Sequence, residues 1–378
     1  MAWKESSKMS SRLEFVTLAS APGANMQSLC RTFGVSRKTG YLWLERYRES
    51  GAVGLLDRSR RPLSSPNRSD TDLEAQVLAL HDTYPCWGGR KLAALLPEGV
   101  PRPHHNTIAA ILRRNGRQLV PHTDATERTH MRFEHEAPNL LWQMDFKGHF
   151  PLTDKQAGRC HPLTVLDDHS RFAVCLAACP RETYQYVQVA LTQAFQLYGL
   201  PQRITCDNGS PWRVAGEESI SRLEVWLIRL GIRVAHSRPH HPQTQGKDER
   251  FHRTLKRELL NRTGFHSHAA CQLAFDKWRD QYNLVRPHEA LGQKPPGTRY
   301  AASARAFPSQ LPAIDYEASD EVRKVRGSGQ IQFARRDFFI GEGLLGELVA
   351  VRPTAEDGIF KVFFCDRELR TLDLRTAD

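Results

Sequence analysis

Three acidic residues, each in its own motif, constrain this chain of 378 residues most strongly. Asp145 lies in WQMDFKG, Asp207 in ITCDNG and Glu249 in QGKDERFH; the first two end short apolar runs and the third opens a helical pattern. Carboxylates that converge from two strands and a helix can bind a pair of hard cations such as Mg²⁺ or Mn²⁺. Such a pair activates water or a hydroxyl and stabilises the leaving oxygen in phosphodiester cleavage. The pattern therefore predicts an enzyme that cuts and rejoins nucleic acid.

Each of these acidic residues also has a purely structural interpretation. Asp145 is costly to bury without a partner or a metal, so an ion pair would explain it equally. Asp-Asn-Gly after position 206 is an ordinary turn sequence. Glu249 could form a surface ion pair with Arg253, four residues later on the same helix face. Asp248 is turned about 100° from Glu249 on a helix, and we assign it to stabilisation of the helix N-terminus.

The charge distribution favours a polyanionic partner. The formal net charge is +11 and the pI is about 9.4. Residues 231–262, around Glu249, hold 8 Lys and Arg against 3 Asp and Glu, whereas residues 317–378 hold 10 against 12. Basic charge thus clusters beside the predicted active site, as expected for a protein that binds nucleic acid.

Other functional classes find little support in the sequence. The eight cysteines form no Cys-x-x-Cys pair, so we interpret them as reduced thiols of an intracellular, cytoplasmic protein. No apolar stretch is long enough to span a membrane, and the N-terminus lacks a signal-peptide core. A zinc site lacks its ligand spacing. Gly-rich phosphate loops are missing, so we expect no nucleotide cofactor.

The pattern of helices, strands and Pro-rich stretches predicts a multidomain chain: all-α helix-turn-helix units at the N-terminus, a central α/β core and a small C-terminal β-barrel of about five strands. The predicted divisions are a first helix-turn-helix domain at 1–56, a basic linker at 57–69, a second helix-turn-helix domain at 70–119, a connector at 120–139, the core at 140–291, a linker at 292–320 and the barrel at 321–378.

The first helix-turn-helix pattern has Gly34 at its turn and Ser36 as the cap of the second helix. That helix would enter the major groove. The candidate DNA contacts are Arg37, Lys38, Thr39 and Tyr41 on this helix, Arg58, Arg60 and Arg61 in the linker, His105, Asn106 and Arg113 in the second unit, and Lys247, Arg250, Arg253 and Lys256 around Glu249. The alternatives are a helical packing module and a solvated tether.

The combined motifs resemble those of a known family. WQMDFKG, the Asp207-Asn208-Gly209 turn, HPQTQGKDERFHRTLK and YNLVRPHEALG are similar to the integrase catalytic core of bacterial insertion-sequence transposases, over roughly residues 25–305. The resemblance implies a ribonuclease H-like fold and a triad of two aspartates and a glutamate at Asp145, Asp207 and Glu249. It also implies a basic residue seven positions after the glutamate, where Lys256 stands, and helix-turn-helix units that bind terminal inverted repeats.

The sequence departs from retroviral integrases in two respects. The gap between Asp207 and Glu249 is 41 residues, somewhat longer than in those enzymes. Their zinc-binding N-terminal module is missing, and helix-turn-helix units take its place. The last 60 residues or so carry no motif that identifies their role.

The expected function is therefore a DNA transposase. Two Mg²⁺ or Mn²⁺ ions, held by the triad, would promote cleavage at the ends of the element and joining of the 3′-OH to target DNA. The partners would be double-stranded DNA and further copies of the chain, and the protein would associate with the nucleoid when bound. One alternative is a DNA-binding regulator of transposition with an inactive core. Another is a structure-specific or RNA-cleaving nuclease on the same fold.

Overall fold

The computed structural model describes residues 8–58, 68–100, 102–117, 134–207, 209, 211–212, 220–236 and 246–375. The chain divides into two compact units, Met1–Arg68 and Ser69–Asp378. No helix of the described residues is long and apolar enough to cross a membrane.

The first unit is a bundle of three helices, α1 (Lys8–Ala19), α2 (Met26–Thr32) and α3 (Arg37–Ser50). Ser36 accepts a hydrogen bond from the Thr39 amide at 3.1 Å and so caps α3, as the sequence predicts. Gly34 adopts φ +63°, which allows the sharp turn between α2 and α3. The helix-turn-helix prediction is confirmed.

The second unit begins with three further helices, α4 (Thr71–Thr83), α5 (Gly89–Ala94) and α6 (His105–Arg114). Their shared core contains buried Trp87, Ile108 and Leu112. These helices contact the remainder of the unit, because Cys86 accepts a hydrogen bond from Arg262 at 3.2 Å. The second helical module therefore lies docked on the α/β core.

A mixed sheet forms the centre of the second unit. Its strands are β1 (Trp142–Phe146), β2 (Phe150–Pro151), β3 (Arg159–Asp167), β4 (Ala173–Cys179), β5 (Arg203–Cys206) and β6 (Arg233–His236). They follow the order β2-β3-β1-β5-β6, with β4 on β3; β3 is antiparallel to β1 and β4, whereas β1, β5 and β6 are parallel. The prediction of an α/β core is confirmed.

Helices cover both faces of this sheet. The helices are α7 (Tyr184–Tyr198) and α8 (Arg222–Arg229) on one face, and α9 (Gly246–Leu255) and α10 (His268–Asp280) on the other. Trp142 and Met144 pack with α7 and α8. Because side chains alternate along a strand, Gln143 and Asp145 point to the opposite face, where α9 lies.

The C-terminal part is an antiparallel structure of six strands: β7 (Glu321–Lys324), β8 (Gln330–Phe333), β9 (Arg336–Phe339), β10 (Leu348–Pro353), β11 (Ile359–Phe364) and β12 (Arg367–Asp373). Four of them form a sheet in the order β12-β11-β10-β7, and β8 and β9 form a hairpin. Within the described residues no ladder joins β12 to β7, so the predicted β-barrel is not confirmed. The sheet buries Val349 and Phe364 against Val225 of α8.

The segment predicted as a linker at 292–320 is not a free tether. Tyr300 stacks on Phe172 with ring centroids 4.1 Å apart. Arg305 donates to three carbonyl oxygens, those of Pro201 at 2.7 Å and of Leu230 and Gly231 at 3.0 Å each. The segment therefore fastens the ends of α7 and α8 to one another.

We predict that Arg305→Met lowers the free energy of unfolding by about 2–3 kcal/mol, because it leaves three carbonyls without a charged donor. Urea unfolding followed by circular dichroism measures this loss. The exposed Arg326, changed to Met, serves as the matched control and should cost under about 0.5 kcal/mol. Equal stability of the two variants would contradict the role of Arg305.

Candidate active site

Asp145 stands near the carboxyl end of β1, on the sheet face that α9 covers. Its side chain is 25% exposed, and His252 of α9 lies 4.0 Å from its Oδ2. The carboxylate is therefore half-enclosed between strand and helix, while one side remains open to solvent.

Asp207 follows β5 directly, at the same end of the sheet. The parallel register pairs Gln143 with Thr205, and its continuation brings Asp145 opposite Asp207. Oδ1 of Asp207 also accepts a hydrogen bond from the Gly209 amide at 2.9 Å. Asp207 therefore forms the turn after β5 and, by the register, lies opposite Asp145.

Glu249 lies in the first turn of α9, which is fixed on the sheet by buried Phe251 and Leu255. Its side chain is exposed, as are Arg253 and Lys256 on the same helix face. The helix geometry thus places a carboxylate and two cations along one solvent-facing strip beside the sheet.

Electrostatics link the three carboxylates. The pKa of Asp145 is raised to about 7, chiefly by burial and then by Asp207, Glu182 and Glu249, while a backbone hydrogen bond from Phe146 opposes the rise. Among the described residues, no three ligand-type side chains lie close enough to hold a metal ion in this arrangement. Asp207 and Glu249 therefore act electrostatically on Asp145, although the three carboxylates are not all in contact.

Asp248, the neighbour of Glu249, lies in the first turn of α9 and is 2% exposed. Its Oδ1 has no hydrogen-bond partner among the described residues. Burial raises the pKa of Asp248 well above its usual value, and Asp145 and Asp168 raise it further.

Lys247 is paired with a buried carboxylate of the protein. Its Nζ forms an ion pair with Oδ1 of Asp168 and donates to the Asp168 carbonyl at 3.0 Å. Asp168 is fully buried, and burial alone would raise its pKa, but Lys247 and His135 lower it overall. We therefore revise the interpretation of Lys247 as a DNA contact, because its ammonium neutralises a buried carboxylate.

His252 is held as a neutral ring. Burial lowers its pKa to about 4, and Lys147 contributes to the fall. Thr164 Oγ1 donates to the Asp145 carbonyl at 3.0 Å, so it accepts from His252 Nε2 at 2.8 Å. This chain of hydrogen bonds fixes α9 against the strand that carries Asp145.

Two charged residues near the triad were not anticipated from the sequence. Lys147 lies two residues after Asp145, and its pKa is lowered by burial and by nearby Lys256. Glu182 acts on Asp145 from beyond β4 and accepts a hydrogen bond from His161 Nδ1 at 2.8 Å. Lys147 could have been found from its place in the WQMDFKG motif, whereas nothing local distinguishes Glu182.

The remaining candidate DNA contacts lie mostly on exposed helix faces. On α3, Arg37, Lys38 and Tyr41 are exposed, while Thr39 is half-buried and bonded to Ser36. Exposed positions elsewhere are Arg58, Asn106, Arg113 and Arg250, with His105 half-buried. Arg250 pairs with Glu289 at 3.4 Å across the surface. Arg60 and Arg61 lie outside the described residues.

Comparison with protein families assigns each part of the chain. Profiles described as Integrase core domain match residues 135–242 and 230–296. A Helix-turn-helix domain matches residues 11–62 and a Homeodomain-like domain matches 39–112. The profile of the IS481 family transposase, C-terminal domain, matches residues 320–378.

The chain is therefore similar to bacterial insertion-sequence transposases that carry an integrase core domain. It is 28% identical over 263 residues to the insertion element IS476 uncharacterized 39.2 kDa protein of Xanthomonas euvesicatoria, covering 67% of this chain and 71% of that protein. It is also 28% identical over 269 residues to the insertion element IS407 uncharacterized 31.7 kDa protein of Burkholderia multivorans, covering 68% and 92%.

Solved structures are also similar to this chain. One is a chain of the simian T-cell lymphotropic virus intasome in complex with PP2A regulatory subunit B56 gamma, with a TM-score of 0.40 and 16% identity over 79% of this chain and 95% of that one. The HTLV-2 integrase catalytic core domain in complex with magnesium gives 0.34 and 18%, over 44% and 100%.

We predict that Asp145→Asn stabilises the metal-free protein at pH 8. The folded pKa of about 7 lies above the unfolded value of about 3.9, so ionised Asp145 destabilises the fold fully above pH 7 and not at all below pH 4. Thermal melting with a chelator should show a rise of about 3–8 °C at pH 8, which shrinks as the pH falls.

The exposed Asp357, changed to Asn, is the control for this melting experiment and should leave the melting temperature unchanged at both pH values. A lower melting temperature of Asp145→Asn than of the wild type at pH 8 would show that ionised Asp145 does not destabilise the fold.

Proposed function

We propose that the chain is a DNA transposase that binds the terminal inverted repeats of its element, cleaves the element ends and joins them to target DNA. The observation that carries this proposal is the placement of Asp145 on β1 and Asp207 after β5 at one end of the sheet, with Glu249 on α9 beside them; burial, Asp207, Glu182 and Glu249 raise the pKa of Asp145. Carboxylates that repel one another at a solvent-open sheet edge are typical of catalytic sites, where such shifts cluster.

Asp145, Asp207 and Glu249 are the proposed catalytic residues and the proposed ligands of two Mg²⁺ or Mn²⁺ ions. The donor set fits these ions, since it consists of carboxylate oxygens and its mutual repulsion would be relieved by positive charge. When bound, the ions would supply water activation and charge stabilisation at the reacting phosphate.

The chain's own residues would hold the DNA for two successive displacements. Water first attacks the phosphodiester at the element end and leaves a free 3′-OH and a 5′-phosphate. That hydroxyl then attacks a target phosphodiester, so one bond forms as another breaks and no ATP is required. Exposed Arg253 and Lys256, together with Lys147, would bind the phosphates on either side.

The other parts of the chain would recognise and arrange the DNA. The first helix-turn-helix domain (1–56), the basic linker (57–69) and the second helix-turn-helix domain (70–119) would read an extended duplex site, while the ribonuclease H-like core (140–291) carries the chemistry. Two element ends must be joined, so we propose a homo-oligomer assembled on DNA. It would act in the bacterial cytoplasm, on the nucleoid.

Strand transfer in vitro tests this proposal. Purified protein, Mg²⁺ or Mn²⁺, a duplex ending in the inverted repeat that flanks the gene, and a supercoiled plasmid should give joined product. We predict that Glu249→Gln lowers cleavage and joining at least about 1,000-fold while the dissociation constant for the end duplex stays within about threefold. The neutral amide keeps the shape of Glu249 and removes its charge.

Glu289→Gln is the matched control for Glu249→Gln, since Glu289 is also a surface glutamate and forms ion pairs with Arg90 and Arg250. Near-normal activity of Glu249→Gln would remove this residue from the triad. Binding by the wild type without joining in either metal would favour the inactive regulator, and preference for an RNA–DNA hybrid would favour the nuclease.

We further predict that Arg37→Ala weakens binding to the inverted repeat by about 1–3 kcal/mol but leaves binding to unrelated duplex nearly unchanged. Exposed Arg37 lies at the start of α3, where base contacts are made in helix-turn-helix proteins. Competition binding at fixed salt measures both affinities, with the exposed Arg48 at the other end of α3, changed to Ala, as control. Equal loss on both duplexes would mean that Arg37 contacts only phosphate.

A further inference from the structure

A chain of polar contacts runs from the C-terminal sheet to the backbone of Asp207. Arg367, the first residue of β12, donates from Nη1 to Oε1 of Glu224 at 3.2 Å. The same oxygen lies 3.1 Å from His236 Nε2, and His236 Nδ1 lies 2.9 Å from the carbonyl oxygen of Asp207. Four residues, one each from β12, α8, β6 and the turn after β5, are thereby connected in series.

Glu224 holds its place rigidly among these contacts, because its carboxylate is buried and hydrogen-bonded on both oxygens. It belongs to the capping box of α8, in which its Oε2 accepts from the Ser221 amide at 3.0 Å. Its side chain is 4% exposed. Burial alone would raise the pKa of Glu224, but His236, Ser221 and Arg367 lower it overall, so the carboxylate is ionised and accepts from all three.

His236 ends β6, beside the strand that leads to Asp207. One ring nitrogen lies 2.9 Å from the carbonyl oxygen of Asp207 and the other lies 3.1 Å from the carboxylate of Glu224. A ring held on both sides has one orientation. It therefore fixes the peptide group of Asp207 relative to α8.

We propose that Arg367, Glu224 and His236 are positioning residues for Asp207, through which the C-terminal sheet sets the geometry of the active site. The proposal rests on the proposed function only in taking Asp207 as a catalytic ligand. Partners of this kind, one step removed from a ligand, typically change metal affinity or activity by about 10- to 100-fold when removed.

A neighbouring ion pair supplies a control, because it joins α8 to the C-terminal part of the chain without reaching Asp207. Arg229 of α8 donates to Glu347 at 2.8 Å and to the Pro312 carbonyl at 2.7 Å, next to the C-terminal sheet. An effect that arises merely from loosening this interface should appear in Arg229→Met as strongly as in Arg367→Met.

The test uses the full chain in two measurements. Hydrogen–deuterium exchange in metal-free protein should rise about tenfold in the peptide covering residues 203–212 for Arg367→Met, and not for Arg229→Met. Cleavage of the end duplex should fall about 10- to 100-fold in Arg367→Met with unchanged DNA affinity. Arg367→Lys, which keeps the charge, should recover part of both effects.

The exchange measurement separates the two proposals, since it needs neither metal nor activity. Unchanged exchange at residues 203–212 in Arg367→Met, or an equal rise in Arg229→Met, would overturn the positioning role even if the wild type cleaves DNA. A selective rise in exchange together with a wild type that never cleaves would leave the positioning role standing and reject the proposed function.

Discussion

The arrangement of the site depends on one buried ion pair, between Lys247 of α9 and Asp168 at the end of β3. Asp168 is fully buried and also accepts hydrogen bonds from Gln143 Nε2 at 2.8 Å and the His135 amide at 2.9 Å. Removing one partner of such a pair leaves a buried charge uncompensated, which typically costs about 3–5 kcal/mol. The pair therefore fixes the rotation of α9, and that rotation turns Glu249 outward and Asp248 inward.

The same rotation concentrates charge of both signs at the sheet edge. The pKa of Asp145 is raised to about 7 by burial and by neighbouring carboxylates, and Lys256 lowers the pKa of Lys147, two residues after Asp145. Like charges in this site repel one another when it is empty, and bound cations and phosphates would relieve that repulsion. On our proposals, the C-terminal sheet completes the arrangement by holding Asp207 through Glu224.

Local features of the fold could be predicted from the sequence, whereas long-range pairings could not. Ser36 caps α3 and Gly34 permits its turn, and both effects act within a few residues. Asp168 lies in the turn between β3 and β4, but its partners Lys247 and His135 are 79 and 33 residues away in the chain. Likewise, alternating runs near the C-terminus indicate strands but do not determine their order, so the predicted closure of these strands into a barrel is not confirmed.

Binding of metal by the three carboxylates is tested most directly by a crystal of the full chain grown with Mn²⁺ and measured at an anomalous wavelength. We expect two manganese peaks ligated by the carboxylates of Asp145, Asp207 and Glu249, with α9 in the rotation that Lys247 sets. Peaks ligated by Asp248 or Glu182 in place of Glu249, or no peak at this sheet edge under Mn²⁺ concentrations that support strand transfer, would contradict it.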